Sequence, residues 1–124
     1  MYSVKIRQHI MIAHSLPHPA FGPAQNMHGA TYVVDVSFKS ELLNDQNIVI
    51  DIGLAHDVLK KVLAPIDYQN LDELPLFKGQ LTTTEFLAKY IHDEVKAAVK
   101  SHFAGTIAVC LGESHVAWAS YEGA

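Results

Sequence analysis

The sequence predicts an α+β domain: a four-stranded antiparallel sheet with two helices packed on one face, in the order ββααββ. Three observations carry this. Apolar residues alternate with period two at both ends of the chain and recur at helical spacing in the middle, and nowhere do strands and helices alternate as a parallel sheet would require. At 124 residues the expected organisation is a single domain, 1–124.

The first strand is read from Tyr2, Val4, Ile6, Ile10, Ile12 and His14 on one face, against Ser3, Lys5 and Arg7 on the other. Pro17, Pro19, Gly22 and Pro23 make Ser15–Met27 a loop. The second strand follows at about Ala30–Phe38, with Tyr32, Val34, Val36 and Phe38 sharing a face. Glu41–Asn47 is turn-like, and Ile48–Ile50 is a short extended apolar piece. Leu54, Val58, Leu59, Val62 and Leu63 are spaced as a helix over Leu54–Leu63, which Pro65 stops. After irregular chain over Ile66–Gln80, Thr82 and Glu85 read as the N-cap and third residue of a capping box. The helix they open carries Phe86, Leu87, Tyr90, Ile91, Val95 and Val99 on one face and ends near Gly105. Two strands, Thr106–Leu111 and Val116–Tyr121, close the chain. Four such strands leave two open sheet edges, so assembly through the sheet is expected.

Composition narrows the function. Net charge is −4 and the basic residues form no cluster beyond Lys60-Lys61, which disfavours a nucleic-acid footprint. No apolar run approaches the length that crosses a bilayer, and the start of the chain has no leader-like apolar region, so the expected location is cytoplasmic. The one cysteine, Cys110, sits in an apolar strand and reads as a packing residue rather than a nucleophile. Eight histidines are the unusual count, because histidine ligates metals and moves protons near neutral pH.

Among them, His14 ends the first strand and His28 opens the second, so pairing brings them to one end of the sheet. They are read either as capping histidines or as part of a metal site, which would need a third ligand. Asp67 beside Tyr68 reads locally as a turn former. Glu113 stands in a nearly uncharged stretch. It is either an exposed turn residue or a carboxylate awaiting a donor pair. His115, two residues on, is expected to point the same way.

Together these segments resemble the 6-pyruvoyl/6-carboxytetrahydropterin synthase family nearly end to end. Ile12-Ala13-His14 is similar to the strand end bearing the family's first zinc histidine, and Met27-His28-Gly29-Ala30 falls where the family has His-Gly-His. Ile48–Ile52 resembles the Met-Val-x-Asp-Phe segment, and Ile66–Leu71 resembles Leu-Asp-His-x-x-Leu. Thr83-Thr84-Glu85 matches the Thr-x-Glu that opens the second helix and contacts the pterin from a neighbouring subunit. Glu113 matches the glutamate that grips the pterin's pyrimidine edge.

The resemblance implies the tunnelling fold, in which three subunits close a twelve-stranded barrel and two trimers stack. It therefore implies a homo-trimer or homo-hexamer with pockets between subunits, a small-molecule pterin ligand and a zinc ion. The departures are at the chemistry: Ala30 replaces the third zinc histidine, Ala24 the cysteine, and Tyr68 the histidine paired with the aspartate. The expected metal ligands are then His14 and His28, with His115 or His18 as the possible third. The expected substrate-binding residues are Thr83, Thr84, Glu85 and Glu113, and the acid–base residues Asp67, Tyr68 and His115. The implied function is a carbon–oxygen or carbon–carbon lyase acting on a reduced pterin through an altered site. The alternative is a non-catalytic pterin-binding or oligomeric scaffold.

Overall fold

The computed structural model describes all residues, Met1–Ala124. It is built on two thirteen-residue strands, β1 (Tyr2–His14) and β2 (His28–Ser40). They pair antiparallel over their whole length, from Tyr2↔Ser40 to His14↔His28. The alternation read in the sequence fixes this register, because a slip of one residue would turn every apolar side chain to water. Ile6, Ile10, Ile12, Tyr32, Val34, Val36 and Phe38 are buried on the inner face. Gln8 interrupts the apolar row of β1, and its amide donates to the His56 carbonyl at 3.0 Å.

Two α-helices cover that face, α1 (Ile52–Leu63) and α2 (Thr84–Val99). The Asp51 carboxylate accepts from Leu54 N at 2.7 Å and caps α1, which starts two residues before the expected Leu54. Helix α1 buries Ala55, Leu59, Val62 and Leu63; α2 buries Leu87, Ala88, Ile91, Val95 and Val99, together with His92. Both nitrogens of His92 meet acceptors: Asp93 Oδ1 at 2.9 Å and the Gly123 carbonyl at 3.0 Å. That satisfies a buried polar ring and fastens the last strand to the helix.

The sheet corrects the expected count. It has five strands, in the order β3-β1-β2-β4-β5, with β4 at Thr106–Ser114 and β5 at Ala117–Gly123. The extra strand, β3 (Gln69–Asn70), pairs parallel with Ile12 and Ala13, so the sheet is mixed rather than antiparallel. Two residues carry no periodicity to read. The order is ββαβαββ, with additional 3-10 turns at Pro19–Gln25, Leu71–Glu73 and Pro75–Phe77. Ile48–Ile50 does not join the sheet, although Ile50 is buried. The helix-free face is polar, as a wetted face should be. On it Arg7 grips Asp35 through two hydrogen bonds, at 2.7 and 2.9 Å, and that contact holds the Asp35 carboxyl below its ordinary pKa. Cys110 lies on this face, half-buried, opposite Asp35. No helix is long and apolar enough to cross a membrane.

Gly105 makes the turn from α2 into β4 possible. A Cβ there would stand 2.2 Å from the Lys39 carbonyl oxygen and 2.6 Å from Phe103 Cζ. Backbone cannot yield as a flexible side chain can, so Gly105→Ala should destabilise the fold by about 1–3 kcal/mol, the cost of overpacking. Urea denaturation checks this; a loss below about 0.5 kcal/mol, the range of ordinary surface changes, would mean that the β2–β4 corner gives way freely.

Candidate functional site

Strand pairing brings His14 and His28 together as expected, with ring centroids 4.6 Å apart and edge to face. Both rings are anchored through Nδ1. His28 Nδ1 lies 2.8 Å from the Asn26 carbonyl, and His14 Nδ1 lies 2.9 Å from Thr82 Oγ1. His14 is buried, and its pKa is held below the ordinary histidine value, first by that burial and then by neighbouring His28.

Thr82 is therefore not the helix cap. The cap is Thr83, whose hydroxyl accepts from Phe86 N at 3.1 Å. The helix begins one residue later than the capping-box pattern implied. Glu85 falls in the first turn without closing a box, and Thr82 is left free to face His14. Three threonines in a row hide that shift from sequence reasoning, since any of them can cap.

No third metal ligand arrives. His18 accepts from Ala20 N through Nδ1 at 3.0 Å and packs its ring against Phe21, so it is a loop residue. His115 is exposed in the two-residue turn between β4 and β5, and does not run on from Glu113 along extended chain. No group of three or more His, Cys, Asp or Glu residues is placed to hold an ion. A catalytic zinc takes three protein ligands. The two histidines do not fit one.

Thr84, Glu85 and Glu113 do come together. They line one cleft of about 320 Å³ with Ala117, Trp118, Ala119 and Ser120. The two carboxylates are exposed at its rim, so the burial considered for Glu113 is not supplied by one chain. Thr84 and Glu85 line this cleft on the same chain as Glu113. Beneath it lies Tyr32, fully buried, its hydroxyl 3.5 Å from Thr84 Oγ1. Burial pushes its phenol pKa up, and the Glu113 and Glu85 charges add to that. A larger cavity of about 520 Å³ lies elsewhere, between the start of β1 and Leu43–Gly53. It is mostly aliphatic, and its one carboxylate, Asp51, is spent on capping α1.

Asp67 and Tyr68 stand at the opposite edge of the sheet. Asp67 Oδ1 accepts from Met11 N at 3.0 Å, and Tyr68 N donates to the Met11 carbonyl at 2.7 Å. This clamp on the outer edge of β1 leads directly into β3. Four inter-strand spacings of about 4.8 Å each separate β3 from β5, so Asp67, Tyr68 and His115 do not meet within one chain.

The comparisons decide the family. The model of the 6-pyruvoyl tetrahydropterin synthase family matches residues 3–124. The chain belongs to that family. It is similar to the 6-pyruvoyl tetrahydrobiopterin synthase of Dictyostelium discoideum, 35% identical over 82 residues, which are 64% of this chain and 61% of that protein. It is also similar to the 6-carboxy-5,6,7,8-tetrahydropterin synthase of Bacillus subtilis, 31% identical over 103 residues, 77% of this chain and 68% of that one. The solved 6-pyruvoyl tetrahydropterin synthase of Caenorhabditis elegans superposes with a TM-score of 0.82 at 21% identity, covering 99% of this chain and 96% of that one. That last likeness is one of fold.

Tyr68 adds a feature that no pattern announced. It is 78% exposed and holds φ at +58°, a left-handed conformation that costs a bulky residue roughly 1–2 kcal/mol. Asn tolerates that conformation better, so Tyr68→Asn should raise stability by about 1 kcal/mol. Thermal unfolding of the two proteins tests this. A destabilised variant would show that the phenol makes contacts in the native assembly.

Proposed function

We propose that this chain binds a reduced pterin in the cleft between the start of α2 and the β4–β5 end. Its pyrimidine edge would lie against Glu113, with Thr84 and Glu85 alongside. The observation that carries the reading is the convergence of these three residues on one cleft of about 320 Å³, a size suited to a small bicyclic ligand. A pterin offers an N–H and an amino group side by side, which match the two oxygens of a carboxylate. Two carboxylates at one rim favour such a donor-rich edge over acceptor-rich heterocycles. Thr83, occupied as the helix cap, supports the cleft from behind rather than touching the ligand.

The chemistry we propose is lyase chemistry on the pterin side chain, in a site closed between copies of the chain. Asp67 and Tyr68 sit at the β3 edge, and Glu113 and His115 at the β5 side. A homo-trimer or homo-hexamer built edge to edge would carry the first pair of one copy to the cleft of the next. In that arrangement Tyr68 and His115 are the groups able to move a proton, and Asp67 positions Tyr68 through its hold on Met11. No step is routed through a metal, because the histidine pair lacks a third ligand. One observation favours the non-catalytic alternative: the Asp67 carboxylate already serves the β1 backbone.

Glu113→Gln keeps shape but replaces one acceptor oxygen with an amide. It should cost about 1.5–3 kcal/mol of pterin binding, roughly tenfold or more in affinity. Titration of neopterin or a related reduced pterin into both proteins measures it. Equal affinities, or no binding by the wild type, would defeat the reading. If the wild type turns the pterin over, mixing inactive Tyr68→Phe and Glu113→Gln chains should restore part of the activity through hybrid sites. Binding without any turnover would favour the scaffold.

A further inference from the structure

We infer that Ala30 has turned the strand-end histidine cluster into a two-histidine pair that does not retain zinc, and that this one position decides whether an ion is held. The pair keeps what a metal site asks of its surroundings. The Asn26 carbonyl can only accept, so neutral His28 donates from Nδ1 and leaves its Nε2 lone pair free. His14 is held through the same ring nitrogen by the Thr82 hydroxyl, at 2.9 Å. Metal-binding imidazoles are oriented in just this manner, by a partner on the nitrogen that does not ligate. The rings stand edge to face, 4.6 Å between centroids. What is missing is a ligand, not an arrangement.

Register shows where that ligand would stand. Ala30 shares the β2 face of His28 by period two and pairs with Ile12, as His28 pairs with His14. A side chain at 30 therefore rises beside both imidazoles, and a methyl group is all that rises now. The neighbours that could substitute are committed. Asp72 is the carboxylate whose charge acts on His14, and it accepts from both the amide and the hydroxyl of Ser15. His18 is tied to Ala20. Cys110 is on the other face of the sheet.

The test reads metal content and needs no pterin, so its outcome is separate from that of the proposed function. Wild type and Ala30→His are produced in zinc-supplemented medium without chelator, and zinc per chain is measured by mass spectrometry. The wild type should carry only a trace, and Ala30→His about one zinc per chain. Cobalt titrated into Ala30→His should give the intense visible bands of a four-coordinate site, lost again in Ala30→His/His28→Ala. One zinc per chain in the wild type would overturn the inference, as would a folded Ala30→His with no more zinc than wild type. Should Ala30→His not fold, the wild type's zinc affinity, read by competition with a chelating dye, decides. We expect it to be weaker than that of a three-histidine site by at least about 100-fold, more than the loss of an orienting partner alone costs. A nanomolar dissociation constant would refute it.

Discussion

The structure depends on one ladder, the thirteen-residue antiparallel pairing of β1 with β2. It buries Ile6, Ile10 and Ile12 on one strand and Tyr32 to Phe38 by alternate residues on the other, and both helices rest on them. It also fixes, at its far end, the meeting of His14 with His28. Because side chains alternate with period two, the register that buries the core also sets which residues stand beside the histidines. The core and the strand-end site are thus one constraint. A sequence that keeps the first inherits the geometry of the second, whether or not the ligands survive.

This explains how the two rings are held in place by the fold alone. Thr82 and the Asn26 carbonyl hold the rings from loop and backbone positions that also serve the fold. No buried side-chain polar atom in the chain lacks a partner, so the pair is held without an orphaned polar group. Asp67 is likewise committed to the fold: its carboxylate accepts from the Met11 amide and holds the sheet edge.

The long strands and both helices were legible because their apolar periods run over about ten residues each, broken in β1 only at Gln8. The sheet's fifth strand was not. Gln69 and Asn70 are polar, and they pair only because Asp67 and Tyr68 clamp the chain against Met11. The cap of α2 was misread by one residue because Thr82, Thr83 and Thr84 offer the same hydroxyl, and tertiary contact with His14 chooses among them. His92 falls outside the apolar stripe read for the second helix, and nothing in the sequence marks it as buried. Its burial becomes sensible only once Gly123 is known to end beside it. Among the site residues, the co-location of His14 with His28 followed from strand pairing. The distribution of Asp67 and Glu113 to opposite edges could not be seen without the strand order.

That distribution bears on how strongly the cleft can hold a ligand. Glu85 and Glu113 are exposed, and water competes with any donor a ligand brings to them, so each hydrogen bond formed in the open cleft is worth little. The same bonds gain strength when the cleft is covered, because a low-dielectric surround favours a paired charge and penalises an unpaired one. Trp118, 62% exposed, lines the cleft from the free edge strand, and Val116, 79% exposed, stands in the adjoining turn. The other edge presents Met11 and Tyr68, also exposed. Bringing two such edges together would bury apolar surface and dry the carboxylates in one step, so the association that stabilises the fold would also make the cleft selective.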